Sequence, residues 1–149
     1  MTQEQKQILL EDLCARLPYG VKLRYVEDLV IKEESHIITL NNIYLEHILN
    51  GDADIKPYLR PMSSMTEEER EELFQIWKLG KENGSESVTK LLKEIFYKAI
   101  NENYILKLAT SFENWIDVMT WFNKHHFDYR GLIKRGLAYE APDEMYKIE

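Results

Sequence analysis

Residues 10–25 (LEDLCARLPYGVKLRY) decide the fold, because the apolar pattern changes there from the period of a helix to that of a strand. Before the change, apolar residues recur at the spacing of one helix face: Leu10, Leu13, Cys14 and Leu17. Thr2 and Gln5 form a capping box, so a first helix is predicted over about 3–16. Pro18 ends that helix, and Val21, Leu23 and Tyr25 then alternate with charged residues, which predicts a half-buried strand.

Two further strands are predicted after this first one. Leu29 to Ile31 and His36 to Leu40 are apolar runs rich in β-branched residues, which favours an antiparallel meander. Ile43 to Leu49 fits either a strand or a short helix, and the strand is favoured here. The sequence therefore predicts a small antiparallel sheet over about 20–48.

The second half of the chain predicts helices. Residues 50–65 contain two prolines and several turn formers, which indicates an extended connection and a division within one domain spanning 1–149. Thr66 and Glu69 form a second capping box before a stripe that includes Leu73 and Trp77. Val88 to Ile100 has the strongest helical period of the chain, and a third long helix is predicted over 112–124 after a cap at Ser111. The fold class is α+β, with the sheet packed by the N-terminal helix and a C-terminal set of three to four helices.

Composition excludes several classes of protein. The longest apolar runs are triplets, so neither a signal peptide nor a membrane span is predicted. Cys14 is the single cysteine; it rules out an internal disulfide and a cysteine-rich metal site, and its position on the first helix predicts a core residue. No glycine pattern of a nucleotide-binding loop is present, so no cofactor is predicted, and the protein is expected in the cytoplasm.

The acidic charge is spread evenly along the chain. Residues 1–62, 63–111 and 112–149 carry 7, 7 and 5 basic residues against 10, 9 and 7 acidic ones, within a net charge of −7. Nucleic-acid binding needs clustered cations, and no segment is basic. Nucleic acid is therefore disfavoured as a partner but not excluded.

The residues richest in chemical groups lie together near the C-terminus: His125, His126, Asp128, Tyr129 and Arg130. Imidazole, carboxylate, phenol and guanidinium groups can perform acid-base catalysis or bind an anion. A structural interpretation is favoured, with His126 at the edge of the core and Asp128 as the N-cap of a short helix that ends at Arg135. In this interpretation Gly136 is the left-handed residue after the helix, and Leu137 folds back.

Two groups of residues are candidates for contact with a partner. In the helix over 112–124, Trp121 and Val118 lie outside the stripe of Phe112, Trp115, Ile116, Met119 and Phe122, so that side is either deeply buried or bound to a partner. Tyr58 and Arg60 flank the prolines of the connection, which either straps its own domain or docks on another protein; the strap is favoured.

Three strings resemble a family of small uncharacterised proteins encoded in prophages and mobile elements of Bacteroides-type gut bacteria. They are residues 13–22 (LCARLPYGVK), residues 56–69 (KPYLRPMSSMTEEE), and residues 125–133 (HHFDYRGLI) with 136–138 (GLA). The strings cover about a third of the chain. The resemblance implies kinship with phage-related proteins and carries over no activity, cofactor or catalytic residue.

These observations lead to three functional hypotheses. The first is a non-enzymatic phage accessory protein that acts through contacts with a protein partner or by self-association, without nucleic acid or membrane. The second is a DNA-associated regulator whose recognition helix carries Arg130, Lys134 and Arg135 in a helix-turn-helix arrangement. The third is a small hydrolase that uses His125, His126 and Asp128.

Overall fold

The structure is a computed structural model and describes residues 2–26, 35–50, 54–78, 86–102 and 115–147. In these residues the chain forms five α-helices, four strands and two short 3-10 helices. The α-helices are α1 (Gln3–Arg16), α2 (Asn42–Asn50), α3 (Glu67–Lys78), α4 (Glu86–Asn101) and α5 (Trp115–Lys124), and the 3-10 helices span Leu17–Tyr19 and Met62–Ser64. The strands are β1 (Lys22–Val26), β2 (Ser35–Thr39), β3 (Asp54–Leu59) and β4 (Tyr139–Glu140). The α+β class is confirmed.

The strands form one mixed sheet in the order β2-β1-β3-β4. β1 is antiparallel to both β2 and β3, whereas β3 is parallel to β4. The sheet therefore extends beyond residues 20–48, because it takes in the segment expected as a connection and a strand near the C-terminus. Pro57 is tolerated within β3, since the pairing with β4 begins one residue later, at Tyr58.

Helix α1 begins and ends where the sequence predicts, but a different face of it is buried. The capping box of Thr2 and Gln5 is formed, with the two backbone-to-side-chain hydrogen bonds at 2.9 and 3.1 Å. The buried residues are Leu9, Asp12, Leu13 and Arg16, which also share one helix face. Cys14 is exposed, so its assignment to the core is wrong. The buried face includes two charged residues because Asp12 and Arg16 form an ion pair with each other.

Residues 42–50 form helix α2, and the expected strand over Ile43 to Leu49 is wrong. The Oδ1 atom of Asn41 accepts a hydrogen bond from the backbone N–H of Tyr44 at 3.1 Å, which satisfies one of the N–H groups left open at a helix start. Ile48 is buried and Tyr44 is partly buried in the same core. Tyr44 and Ile48, which face the core, are four residues apart, and this is the spacing of a helix. A strand would bury every second residue.

By its internal contacts the chain divides into two compact units, and it passes from one to the other after Arg60 and back after Arg130. Unit 1 comprises residues 1–60 and 131–149, and unit 2 comprises residues 61–130. The division falls within the predicted boundary region of 50–65, but the C-terminal segment belongs to the unit that contains the sheet.

Unit 1 has an aliphatic core between one face of the sheet and the helices α1 and α2. Its buried residues are Leu9, Leu13, Val21, Leu23, Leu40, Ile48, Ile55, Leu59, Leu132, Leu137 and Ala138. Unit 2 has a core rich in aromatic side chains: Phe74, Trp77, Phe96, Trp121, Phe122, Phe127 and Tyr129 lie in it together with smaller residues. The second capping box, Thr66 with Glu69, starts α3 as predicted, with both hydrogen bonds at 3.1 Å.

The predicted short helix ending at Arg135 is wrong, because residues 129–136 form only turns. Gly136 does adopt the predicted left-handed conformation, with φ of 73°. The N–H of Leu137 donates to the carbonyl of Leu132 at 2.9 Å, which folds Leu137 back as expected. Gly131 is also left-handed, so only a few residues remain between the two glycines, too few to propagate a helix.

Some predictions concern residues outside the described ranges. They are the strand over Leu29 to Ile31 and the cap at Ser111.

Candidate functional site

The segment His125–Arg130 closes helix α5 and packs against it. His126 has φ of 64°, the left-handed value that usually selects glycine or asparagine after a helix. The N–H of Phe127 donates to the carbonyl of Phe122 at 3.1 Å, and the N–H of His126 donates to the carbonyl of Asn123 at 3.2 Å. This pair of hydrogen bonds is the Schellman closure of a helix, so His126 has a structural role in the backbone.

The other polar residues of this segment are also held inside unit 2. The Tyr129 hydroxyl donates to Oδ1 of Asn123 at 2.7 Å, and both side chains are buried. The Arg130 guanidinium carbon lies 5.4 Å from the centre of the Tyr129 ring. Asp128 is buried, but no helix follows it, so its expected role as an N-cap is wrong.

Trp121 and Val118 are covered by unit 2 itself, so deep burial, and not contact with a partner, is the alternative that the structure shows. Trp121 is 4% exposed and Val118 is fully buried. The Trp121 ring lies between two rings, with the His125 ring centre at 4.1 Å and the Phe127 ring centre at 5.6 Å. Its Nε1 donates to Oε1 of Glu72 at 3.1 Å. At His126 the chain turns back along α5. The residues after this turn cover the side of α5 that lies outside its predicted apolar stripe.

At the start of α5, apolar side chains that were expected to be buried are exposed. Trp115 and Ile116, expected in the buried stripe, are 41% and 61% exposed. On α4 the stripe is divided, because Phe96, Ala99 and Ile100 are buried whereas Leu91 and Ile95 are exposed. Unit 2 therefore keeps several large apolar side chains in contact with solvent.

The sheet of unit 1 carries a different surface. Leu23 of β1 and Ile55 of β3 are buried in the aliphatic core. Because successive side chains of a strand point to opposite faces, the residues that alternate with them lie on the outer face. Five residues of this outer face, called the basic tyrosine face below, are Lys22, Arg24, Lys56, Tyr58 and Tyr139, all of them partly exposed. The exposed Ile37 and Thr39 of β2 lie beside them, as register partners of Arg24 and Lys22.

The side chains of the basic tyrosine face contact one another around Tyr139. The guanidinium carbon of Arg24 lies 4.9 Å from the centre of the Tyr139 ring, and Nζ of Lys56 lies 5.6 Å from it. The Tyr58 and Tyr139 rings are neighbours, with centres 5.7 Å apart and planes inclined by 40°. Pairing between β3 and β4 causes this, because Tyr58 and Tyr139 are register partners. Tyr58 thus belongs to the sheet of its own unit, and Arg60 follows as the last residue of unit 1 before Pro61.

The cations of this face are not neutralised by nearby carboxylates. Lys22, Arg24 and Lys56 have no carboxylate within ion-pair distance among the described residues. Nζ of Lys22 donates instead to the Thr39 hydroxyl at 2.7 Å. The four strands carry three lysine and arginine residues against two acidic residues: Asp54, at the first position of β3, and Glu140 of β4. The outer face thus carries three cations in a protein whose net charge is −7.

The net charge of each segment does not indicate the basic tyrosine face. Lys22 and Arg24 are separated from Lys56 by more than thirty residues that contain several acids, so every segment is acidic on average. The signal available in the sequence is the alternation itself: Val21 to Tyr25 has cations at every second position, and Ile55 to Leu59 has Lys56 two residues before Tyr58. Only strand pairing brings the two stretches together.

Unit 1 also contains a buried polar group that serves its fold. The Arg16 guanidinium donates two hydrogen bonds to the Asp12 carboxylate at 2.8 and 3.0 Å, and neither side chain is exposed. Tyr146 joins two strands, since its hydroxyl accepts from the N–H of Lys22 at 2.9 Å and donates to the carbonyl of Tyr58 at 2.6 Å. Burial raises the pKa of Tyr146, so the hydroxyl stays protonated and retains both bonds at neutral pH.

The described residues contain neither a metal-binding cluster nor a membrane-spanning helix. They contain no group of three or more His, Cys, Asp or Glu residues placed to hold a metal ion. No helix in the described ranges is long and apolar enough to cross a membrane.

Comparison with protein families, with curated proteins and with solved structures gives no match to this chain.

Proposed function

We propose that the protein is a non-enzymatic binding module that contacts the phosphate backbone of nucleic acid through the basic tyrosine face. The observation that carries the proposal is the grouping of Lys22, Arg24 and Lys56 on one sheet face without carboxylate partners among the described residues. Cations that are not paired internally are available to replace the counterions of a polyanion. Binding of this kind needs a local cluster and does not need a basic protein, because charges beyond about 10 Å are screened at 0.1 M salt.

The geometry gives less support to the two other site hypotheses. A hydrolase needs solvent access to its catalytic groups, whereas His126 and Asp128 are buried. A helix-turn-helix needs a recognition helix, whereas the segment that carries Lys134 and Arg135 forms turns. The proposed surface for nucleic acid is therefore a sheet face and not a recognition helix.

We further propose that the protein acts in the bacterial cytoplasm as a phage or prophage accessory protein. The support for this is the resemblance of the three strings, residues 13–22, residues 56–69 and residues 125–133 with 136–138, to proteins of mobile elements.

The test is a binding titration of a labelled single-stranded oligonucleotide of about twelve nucleotides, followed by fluorescence anisotropy at several salt concentrations. Three phosphate contacts predict that log K falls against log salt with a slope of about −2. The double variant Arg24→Gln/Lys56→Gln is expected to bind about tenfold more weakly, with a slope of about −0.7.

The matched control removes the same charge elsewhere in unit 1. Lys134→Gln/Arg135→Gln alters two exposed cations and is expected to keep the affinity and the slope of the wild type. The proposal is contradicted if the control loses binding and Arg24→Gln/Lys56→Gln retains it, or if the wild type shows no salt-dependent binding. Competition by polyglutamate as effective as that by an oligonucleotide also contradicts it, because the partner is then an acidic polypeptide.

A second candidate function is self-association through α4. Leu91 and Ile95 are 57% and 42% exposed on this helix. Beside them Lys90, Glu94, Lys98 and Glu102 alternate in charge at intervals of four residues, and all four are exposed. A second copy of α4 packed antiparallel places each lysine opposite a glutamate, so the surface is complementary to itself.

Sedimentation velocity tests this second candidate. The wild type is expected to sediment as a dimer at high protein concentration, and Leu91→Gln/Ile95→Gln as a monomer. Ile43→Gln, which changes an equally exposed isoleucine of α2, is the control and is expected to remain dimeric. A monomeric wild type at all concentrations removes the candidate.

A further inference from the structure

We infer that the basic tyrosine face binds single-stranded nucleic acid, with Tyr58 and Tyr139 as a platform on which unpaired bases stack. This inference rests on the proposed function, because it assigns the form of the nucleic acid to the same surface. It adds a role for the two rings, which a purely electrostatic contact does not require.

The first step concerns the position of the rings. In unit 2 the tryptophan and phenylalanine side chains of the core are buried, so their ring faces contact other protein groups. Tyr58 and Tyr139 lie on the outer face of the sheet and are partly exposed. Their centres are 5.7 Å apart across two paired strands and their planes are inclined by 40°, so the two rings are neighbours on this face.

The second step concerns the groups around the rings. Arg24 and Lys56 both lie within cation-π distance of Tyr139. A base that stacks on the Tyr139 ring takes the place of a cation there, and the displaced cation then lies next to the phosphates of that base. Aromatic rings interleaved with cations are the combination that recognises single strands, because the rings take the bases and the cations take the backbone.

The third step excludes the duplex as the preferred form. The bases of a duplex are stacked on one another, and their faces are not accessible to a side chain. A flat sheet face also does not enter the major groove, which accepts a helix or a two-stranded ribbon. The rings can contribute to affinity only if the bases are unpaired.

The experiment compares probes of equal length that differ in one property. The probes are an oligothymidylate, an oligouridylate, an abasic strand with the same phosphates, and a duplex, each of about twelve nucleotides. The wild type is expected to bind the oligothymidylate or the oligouridylate about tenfold more tightly than the abasic strand. The ratio between the first two identifies DNA or RNA as the better ligand.

Two variants at one position separate stacking from folding. Tyr139→Leu is expected to bind oligothymidylate about tenfold more weakly than the wild type and to leave abasic binding unchanged. Tyr139→Phe keeps the ring and is expected to bind both probes as the wild type does. Tyr58→Leu and Tyr58→Phe repeat the comparison at the neighbouring ring, and circular dichroism spectra confirm that each variant is folded.

The outcomes distinguish the inference from the proposed function. Equal binding of the oligothymidylate and the abasic strand overturns the stacking platform and leaves backbone binding in place. Tighter binding of the duplex than of either single strand overturns the inference as well. Absence of binding to all four probes contradicts the proposed function itself.

Discussion

The two units of this protein use aromatic side chains in opposite ways. In unit 2 the rings of Trp77, Phe96 and Trp121 fill the interior between helices. In unit 1 the interior is aliphatic, and Tyr58 and Tyr139 lie on the outer face of the sheet beside cations. In unit 1 the strands bury their aliphatic side in the core, and this leaves Tyr58 and Tyr139 on the face that is open to solvent.

The difference follows from the geometry of the elements. A strand has two faces, so the aliphatic residues of β1 and β3 leave Arg24 and Lys56 on the opposite side. A helix has a continuous circumference, and α5 is covered on two sides because the chain folds back after His126. The aromatic residues at the end of α5 are therefore used for packing, and the alternation of apolar and charged residues in the strands marks the candidate site.

The largest expected effect is on unit 2. Trp121→Ala removes a ring packed between two others and is expected to lower the free energy of unfolding by about 3–5 kcal/mol. Urea denaturation followed by circular dichroism measures the change. Trp115→Ala, at the exposed start of the same helix, is the control and is expected to cost less than about 1 kcal/mol. Equal losses for the two variants contradict the assignment of Trp121 to the core.

Unit 1 is expected to respond strongly at its buried ion pair. Asp12→Ala leaves the Arg16 guanidinium buried without its carboxylate and is expected to cost about 3 kcal/mol or more. Asp12→Leu/Arg16→Met replaces both charges by apolar groups and is expected to recover most of that loss. If the double variant is as unstable as Asp12→Ala in urea denaturation, packing at these positions matters more than charge.

These two sites show what the sequence can and cannot predict. Thr2 and Thr66 predict their helix starts, because a capping box is a local pattern. The buried face of α1 is not predictable in the same way, since the residues around Leu10 and those around Leu9 both have a helical period. The tertiary fold buries the face of Leu9, on which Asp12 and Arg16 form an ion pair with each other.

The candidate site has the same limit. Lys22, Arg24 and the strand that carries them are evident from alternation, but the sequence does not show that β3 lies beside β1. Lys56 and Tyr58 lie in the connection predicted over 50–65. Its prolines indicate a turn region, so the sequence does not place these two residues in a strand. Pairing with β4 near the C-terminus then adds Tyr139, which is far from Lys56 and Tyr58 in the sequence.

A smaller effect is expected where the C-terminal segment meets the sheet. Tyr146→Phe removes the hydroxyl that joins the backbones of Lys22 and Tyr58, and about 1–3 kcal/mol of stability is expected to be lost. Tyr19→Phe is the matched control, because the Tyr19 hydroxyl has no hydrogen bond within the described ranges. A thermal melt of each variant compares them, and equal melting temperatures contradict the bridging role.

The smallest expected effect is the pH dependence of one ion pair in unit 2. Hydrogen bonds from Lys93 and Gln75 lower the pKa of Glu71 below its ordinary value of 4.5. The contribution is therefore present above pH 4.5 and is lost as the pH falls through the lowered pKa. Both side chains are more than a third exposed, so Glu71→Gln is expected to cost only about 0.2–1 kcal/mol at pH 7 and nothing in strong acid. Urea denaturation at the two pH values measures this, and an equal cost at both contradicts the electrostatic origin.

The most direct test of the account is a nuclear magnetic resonance titration of the protein with oligothymidylate. The account predicts that amide shifts change along β1, β3 and β4, around Arg24, Lys56 and Tyr139, and that α4 and α5 stay unchanged. Shift changes confined to residues 125–135 or to the helices of unit 2, with the sheet unaffected, contradict the assignment of the binding surface to the basic tyrosine face.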